Sequence, residues 1–111
     1  MLFKKLDINE MHNIYLDQLK KDFAEDEVKP FSAIKGMYLR DEYEAYGFYD
    51  GDELCAYAFF VAPKGLDTVL LDYFAVISGK RDKGIGSKCL KLMKQIWQLE
   101  RLKLNMMLEK I

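Results

Sequence analysis

The sequence of 111 residues has little of several features that would indicate particular classes of protein. Its one histidine and two cysteines form no cluster of metal-ligating side chains, so we expect no metal site. No apolar run approaches the roughly 20 residues of a membrane-spanning helix, so we expect a cytoplasmic protein without membrane contact. Lys and Arg total 17 against 18 Asp and Glu, which leaves no basic surplus for nucleic-acid binding.

The composition is that of a packed domain. Half of the residues are hydrophobic and 14% are aromatic, whereas Gly and Pro are sparse, which excludes a disordered chain. A second core would need roughly another hundred residues, so residues 1–111 form a single domain. Cys55 and Cys89 fall within predicted elements, and we interpret them as reduced, buried thiols.

An amphipathic pattern follows the first predicted strand, Leu2–Leu6. Asp7 and Glu10 have the spacing of a capping box and predict the start of a helix over about 8–23. Apolar residues recur along it at helical spacing. The apolar side consists of Ile8, Met11, Tyr15, Leu19 and Phe23, and the opposite side carries Lys20, Lys21 and Asp22.

A second short helix is predicted over about 31–41, because Pro30 fits the first turn of a helix, where its missing N–H would have had no partner. The acidic run Glu25-Asp26-Glu27 between the two helices has two interpretations. It either attracts a cationic substrate or forms a solvated loop, which is the usual place of charge runs.

Two aromatic-rich runs, Tyr43–Tyr49 and Leu54–Val61, flank Asp50-Gly51-Asp52. A D-G turn between such runs predicts a β-hairpin. These runs are therefore the second and third strands.

The fourth predicted strand, Thr68–Ile77, completes an antiparallel meander and leads through a glycine-containing loop to a helix over about 84–98. A fifth strand, Leu104–Ile111, is parallel to the fourth if that helix is a right-handed crossover. The predicted fold class is α+β with a mixed sheet, in the order β-α-α-β-β-β-α-β.

The loop before the last helix contains Arg81, Gly84 and Gly86 in the spacing R-x-x-G-x-G. The first N–H groups of a helix lack partners within it and carry partial positive charge, so a helix start that follows glycines favours phosphate. The loop lacks the Lys and Ser of a Walker motif and the third glycine of a dinucleotide fingerprint, so both of those nucleotide classes are excluded.

Together with the strand segment Leu71–Val76, the segment Arg81–Ser87 resembles the cofactor motif of the GCN5-related N-acetyltransferases (GNAT), Q/R-x-x-G-x-G/A. The predicted element order is similar to that of the same superfamily over nearly the whole chain. The resemblance implies a GNAT-like acyl-coenzyme A N-acyltransferase fold, with acetyl-coenzyme A as the cofactor and the amine of a small molecule as the acceptor.

The resemblance also implies roles for individual residues. Backbone N–H groups from Arg81 to Ser87 would hold the pyrophosphate of the cofactor. The pantetheine would pair with the fourth strand at Ala75 and Val76, where a backbone N–H would also polarise the thioester carbonyl. The implied cofactor-binding residues are Ala75, Val76, Arg81, Asp82, Lys83, Gly84, Ile85, Gly86 and Ser87.

Direct attack by an amine requires the loss of a proton, which calls for a carboxylate or a water chain. Asp72 in the fourth strand and Glu109 in the fifth are the candidate catalytic residues. Alternatively, Asp72 is a structural group that is hydrogen-bonded to a loop.

A complete member of the superfamily would continue after the fifth strand with a helix and two strands, and that helix usually carries the Tyr that protonates the departing thiolate. We expect this chain to be truncated before that segment, because all 7 tyrosines lie upstream. The fifth strand would then have an unpaired edge, and we expect a second copy to pair with it in a homodimer.

Three functions therefore stay open. The first is an acetyl-coenzyme A-dependent N-acetyltransferase. The second is a non-catalytic acyl-coenzyme A-binding or interaction module that lacks the general-acid segment, and the third is a structural protein that uses the fold only for assembly.

Overall fold

The computed structural model describes residues 1–81, 84–97 and 102–103, the last two by their backbone alone. The strands are β1 (Leu2–Lys5), β2 (Tyr43–Asp50), β3 (Glu53–Val61), β4 (Val69–Val76) and β5 (Leu102–Lys103). They form one sheet in the order β1-β2-β3-β4-β5. The first four strands are antiparallel neighbours, and β5 is parallel to β4.

Helices cover both faces of the sheet. The described helices are α1 (Ile8–Ile14), a π-helical turn (Tyr15–Leu19), α2 (Lys20–Asp22), a 3-10 turn (Glu25–Glu27), α3 (Phe31–Leu39) and α4 (Ile85–Trp97). The predicted α+β class and element order are confirmed. The fifth strand was predicted over Leu104–Ile111, which lies outside the described residues, and the described part of β5 precedes it.

The capping box and the hairpin turn predicted from the sequence are both present in the structure. The Asp7 carboxylate accepts a hydrogen bond from the Glu10 N–H at 2.8 Å, and the Glu10 carboxylate accepts one from the Asp7 N–H at 3.0 Å, so the capping box starts α1. The hairpin between β2 and β3 turns at Gly51, whose φ of 62° is in the left-handed region that favours glycine.

An irregularity in β4 sets the direction of its side chains. Phe59 of β3 pairs with Tyr73, but Phe60 pairs with Leu71, so Asp72 is an extra residue in β4. Such a β-bulge places two consecutive residues on one face of a strand. Consistent with this, Leu71 is buried against α4, whereas Tyr73 is buried on the opposite face.

The sheet separates two cores. The core under α4 contains Tyr46, Phe48, Cys55, Ala56, Ala58, Phe60, Val69, Leu71, Phe74, Ile85, Cys89, Met93 and Trp97. The core under α1 and α3 contains Leu6, Met11, Ile14, Tyr15, Leu19, Phe23, Ile34, Tyr43, Ala45, Tyr57, Phe59 and Tyr73. Both cores include side chains of β4, so the strand that carries the candidate site is held from both faces.

Candidate functional site

A cleft of about 590 Å³ lies between the C-terminal end of β4 and the N-terminus of α4. β5 pairs with β4 at Val69 and Leu70, whereas the cleft is lined by β4 residues from Phe74 onward. The volume falls within the range of about 300–1,000 Å³ that is typical of small-molecule sites. The predicted cofactor-binding residues that line it are Ala75, Val76, Arg81, Gly84, Ile85, Gly86 and Ser87.

The remaining predicted site residues are Asp72, Asp82, Lys83 and Glu109. Asp82, Lys83 and Glu109 are outside the described residues, so their roles stay predictions. Asp72 is described, but it is not among the described residues that line the cleft.

Further residues that line the cleft were not predicted from the sequence. Asp22 and Phe23 come from the end of the first helical segment, and Lys80 from the loop after β4. The prediction that Asp22 faces the polar side is wrong, since its side chain is only 15% exposed. Asp22 follows the buried Tyr15 by about two helical turns, and this spacing was the available signal.

Glycine gives the loop its backbone path into α4. Gly84, the residue before the helix, has a φ of 71°, in the region that glycine adopts without strain. The Lys88 N–H donates to the Gly84 carbonyl at 3.2 Å, which starts the hydrogen bonding of α4. The residues of the first turn that follow Gly84 line the cleft, and the N–H groups at the start of a helix have no acceptor within it.

Basic side chains stand beside this helix start. The Arg81 Nε donates to the Val76 carbonyl at 3.1 Å, and one of its terminal nitrogens is 3.7 Å from an Asp22 carboxylate oxygen. Arg81 therefore connects β4 to α2, two walls of the same cleft. The Lys80 ammonium contacts the Glu53 carboxylate, and this hydrogen bond raises the pKa of Lys80.

Asp22 is fixed by a second partner. The hydroxyl of the fully buried Tyr57 donates to Asp22 Oδ2 at 2.7 Å, while Arg81 approaches Oδ1. Burial raises the pKa of Tyr57 far above its ordinary value, so the phenol stays neutral and continues to donate. One carboxylate oxygen is thus held from within the protein, and the other faces a partly exposed cation.

Both carboxylate oxygens of Asp72 have partners. The Lys29 ammonium donates to Oδ1 at 2.6 Å, and the Tyr43 hydroxyl donates to Oδ2 at 2.7 Å. The side chain is 13% exposed. These contacts are those of the structural alternative, in which Asp72 is hydrogen-bonded to a loop.

The loop in question is held to the sheet by tyrosine hydroxyls. The Tyr15 hydroxyl donates to the Lys29 carbonyl at 2.6 Å, and the Lys29 N–H donates to the Tyr73 hydroxyl at 2.9 Å. Tyr73 in turn donates to the Glu27 carbonyl at 2.7 Å. The acidic run at this point is an exposed 3-10 turn next to Phe23, which lines the cleft.

Several solved structures with a similar architecture are described as acetyltransferases. A Bacteroides thetaiotaomicron protein assigned to the GNAT acetyltransferase family matches with a TM-score of 0.77 and 14% identity, over 94% of this chain and 59% of its own. A ribosomal-protein-alanine N-acetyltransferase from Brucella melitensis matches with a TM-score of 0.63 and 18% identity, over 95% and 80%. A Clostridium acetobutylicum protein described as a predicted acetyltransferase, solved with acetyl-coenzyme A, matches with a TM-score of 0.59 and 12% identity, over 94% and 79%.

These matches show the fold alone: a mixed sheet covered by helices, as in the structures described as acetyltransferases. More particularly, the chain has the GNAT fold, which confirms the resemblance inferred from the sequence. The chain spans 59% of the length of the Bacteroides protein. No family model matches the sequence, and a search of curated proteins finds no significant match. Within the described residues, no helix is long and apolar enough to cross a membrane.

Proposed function

We propose that the cleft binds acetyl-coenzyme A and that the protein transfers the acetyl group to the amine of a small molecule. One observation carries the proposal: the loop residues of the R-x-x-G-x-G motif line the same cleft as Ala75 and Val76 of β4. A loop that binds phosphate and a strand that pairs with an extended ligand are the two parts that an acyl-coenzyme A requires.

The pyrophosphate of acetyl-coenzyme A would lie at the N-terminus of α4. N–H groups of Ile85, Gly86 and Ser87 would point partial positive charge at the pyrophosphate, and the helix is long enough for its dipole to contribute. Arg81 and Lys80 would add charge from the side chains. Asp82 and Lys83 belong to the same loop and are proposed to contribute in the same way.

The thioester end of acetyl-coenzyme A would lie along the edge of β4. The pantetheine would pair with the backbone at Ala75 and Val76 in the manner of an added strand. Bound acetyl-coenzyme A supplies an activated acetyl thioester. A backbone N–H of β4 would polarise its carbonyl and stabilise the negative charge that develops on the oxygen as the amine attacks.

Proton removal from the acceptor is proposed for Asp72 or Glu109. For Asp72, the amine or a water would need access to Oδ1, which Lys29 contacts at 2.6 Å. The same contact favours the second candidate function, a non-catalytic acyl-coenzyme A-binding module, because it commits the carboxylate to holding a loop.

Gly86→Asp tests the binding site. The new carboxylate would lie against the pyrophosphate, so we expect isothermal titration calorimetry to detect no binding of acetyl-coenzyme A, while circular dichroism shows a folded protein. Gln95→Asp is the matched control, since it adds the same charge at an exposed position farther along α4. Equal affinity in the wild type and Gly86→Asp would remove the loop from the site.

A release assay separates the two candidate functions. The transferase releases free coenzyme A from acetyl-coenzyme A in the presence of at least one amine of a broad panel. The binding module binds acetyl-coenzyme A in calorimetry and gives no release above the uncatalysed rate with any amine.

A further inference from the structure

The cleft contains a carboxylate that the proposed binding of the cofactor does not use. Asp22 is the only acidic residue among the described residues that line the cleft. Phosphates would be repelled by it, so its place in a phosphate-binding cleft needs another explanation. Its neighbours Arg81 and Tyr57 indicate one.

The two carboxylate oxygens of Asp22 have unequal partners. Oδ2 receives the hydroxyl of the buried Tyr57 at 2.7 Å, a contact that fixes the direction of the side chain. Oδ1 is 3.7 Å from the nearest Arg81 nitrogen, which is longer than a hydrogen bond, and Arg81 is 57% exposed. Oδ1 therefore faces a cation that is held weakly and can be exchanged.

A bound pyrophosphate would attract Arg81 more strongly than Asp22 does. Arg81 belongs to the loop that would hold the pyrophosphate, and a guanidinium binds a phosphate through short, charge-assisted hydrogen bonds. A bound pyrophosphate would draw Arg81 away from Asp22, which would leave Oδ1 facing the cleft without its cation. A second cation is then needed beside Asp22 to balance the charge.

We infer that Asp22 binds the acceptor and that the acceptor is a positively charged amine; this inference rests on the proposed function of the cleft. Asp22 lines the cleft together with Ala75, where the thioester end of the cofactor is proposed to lie. An ammonium group on Oδ1 takes the place of the Arg81 guanidinium. Coenzyme A and the amine therefore favour each other's binding.

Equilibrium binding tests this without requiring turnover. The protein is saturated with coenzyme A that carries no acetyl group, and primary amines are then titrated in and followed by calorimetry. The amines include spermidine, lysine ethyl ester and tyramine. Tyrosol, the hydroxyl analogue of tyramine, is the uncharged control. We expect at least one amine to bind more tightly with coenzyme A than without it. Tyramine binds more tightly than tyrosol if it is among the amines that bind. Failure of every amine to bind the coenzyme A complex would overturn the inference.

Asp22→Asn supplies the decisive comparison. Loss of a charged hydrogen bond weakens the affinity for the amine by about 10- to 100-fold. Coenzyme A binds equally well or up to about 5-fold more tightly, because Arg81 no longer has a competing carboxylate. Asp22→Glu recovers part of the amine affinity, and Asp17→Asn, at an exposed position earlier in the same helical segment, behaves as the wild type.

The outcomes distinguish the inference from the function on which it rests. If Asp22→Asn loses affinity for coenzyme A as well as for the amine, the carboxylate only positions Arg81. The inference then fails. Undiminished amine affinity in that variant removes the inference and leaves the proposed function. Absence of coenzyme A binding by the wild type removes both. Should Asp22→Asn not fold, the coenzyme A dependence of amine binding by the wild type decides.

Discussion

Asp72→Ala is expected to destabilise the fold through the group that it leaves behind. The Tyr43 hydroxyl donates to Asp72 and belongs to a side chain that is 1% exposed, so its loss of an acceptor costs about 1–3 kcal/mol. The ion pair with Lys29, whose side chain is 38% exposed, adds at most about 1 kcal/mol after solvent screening. The free energy of unfolding should fall by about 1–4 kcal/mol, with most of the loss at the hydroxyl.

Urea denaturation followed by circular dichroism measures this loss. Tyr43→Phe removes the donor, so adding Asp72→Ala to that variant should cost less than Asp72→Ala costs in the wild type. Lys29→Met is the matched control, because it removes the ammonium but keeps the backbone N–H and carbonyl that bind Tyr73 and Tyr15. We expect it to lower the free energy of unfolding by at most about 1 kcal/mol. Asp72→Ala with the stability of the wild type would refute the structural role of the bulged carboxylate.

Further predictions concern other parts of the molecule. Burial raises the pKa of the Cys89 thiol from 9.0 to about 12, so Ellman's reagent should not react with it in the native protein at pH 8. Because the thiol ionises at a lower pH in the unfolded chain, Cys89 should lower the free energy of unfolding as the pH rises from about 9 to 12. If the free energy of unfolding of Cys89→Ala falls as steeply with pH as that of the wild type, this prediction is contradicted. Gly84→Ala should cost about 1–2 kcal/mol in urea denaturation through backbone strain at positive φ, since no atom of the described residues lies within 4 Å of the added methyl. Unchanged stability would count against this.

Features encoded by neighbouring residues were predictable. The Asp50-Gly51-Asp52 turn requires positive φ between two strands, and the pair Asp7 and Glu10 satisfies its own backbone donors, so neither depends on distant parts of the chain. The loop that contains Gly84 was predictable for the same reason, because its glycine spacing is a local requirement of the backbone.

The contacts that give the site its chemistry depend on residues far apart in the chain. Asp22 meets Tyr57 and Arg81 only after α2 packs over the sheet, and no local pattern encodes those partners. The bulge at Asp72 likewise follows from how β3 and β4 pair, because regular alternation would place Tyr73 on the same face as Leu71. The sequence therefore predicts which loop and strand line the cleft better than it predicts the partners of each acidic residue.

The most direct test of the central claim is a titration of isotope-labelled protein with acetyl-coenzyme A, followed by the amide signals in two-dimensional NMR spectra. The proposed function predicts saturable shifts that are largest at Ala75, Val76 and the first turn of α4, at Ile85, Gly86 and Ser87. Absence of saturable shifts, or shifts confined to the face of the sheet away from this cleft, would contradict it.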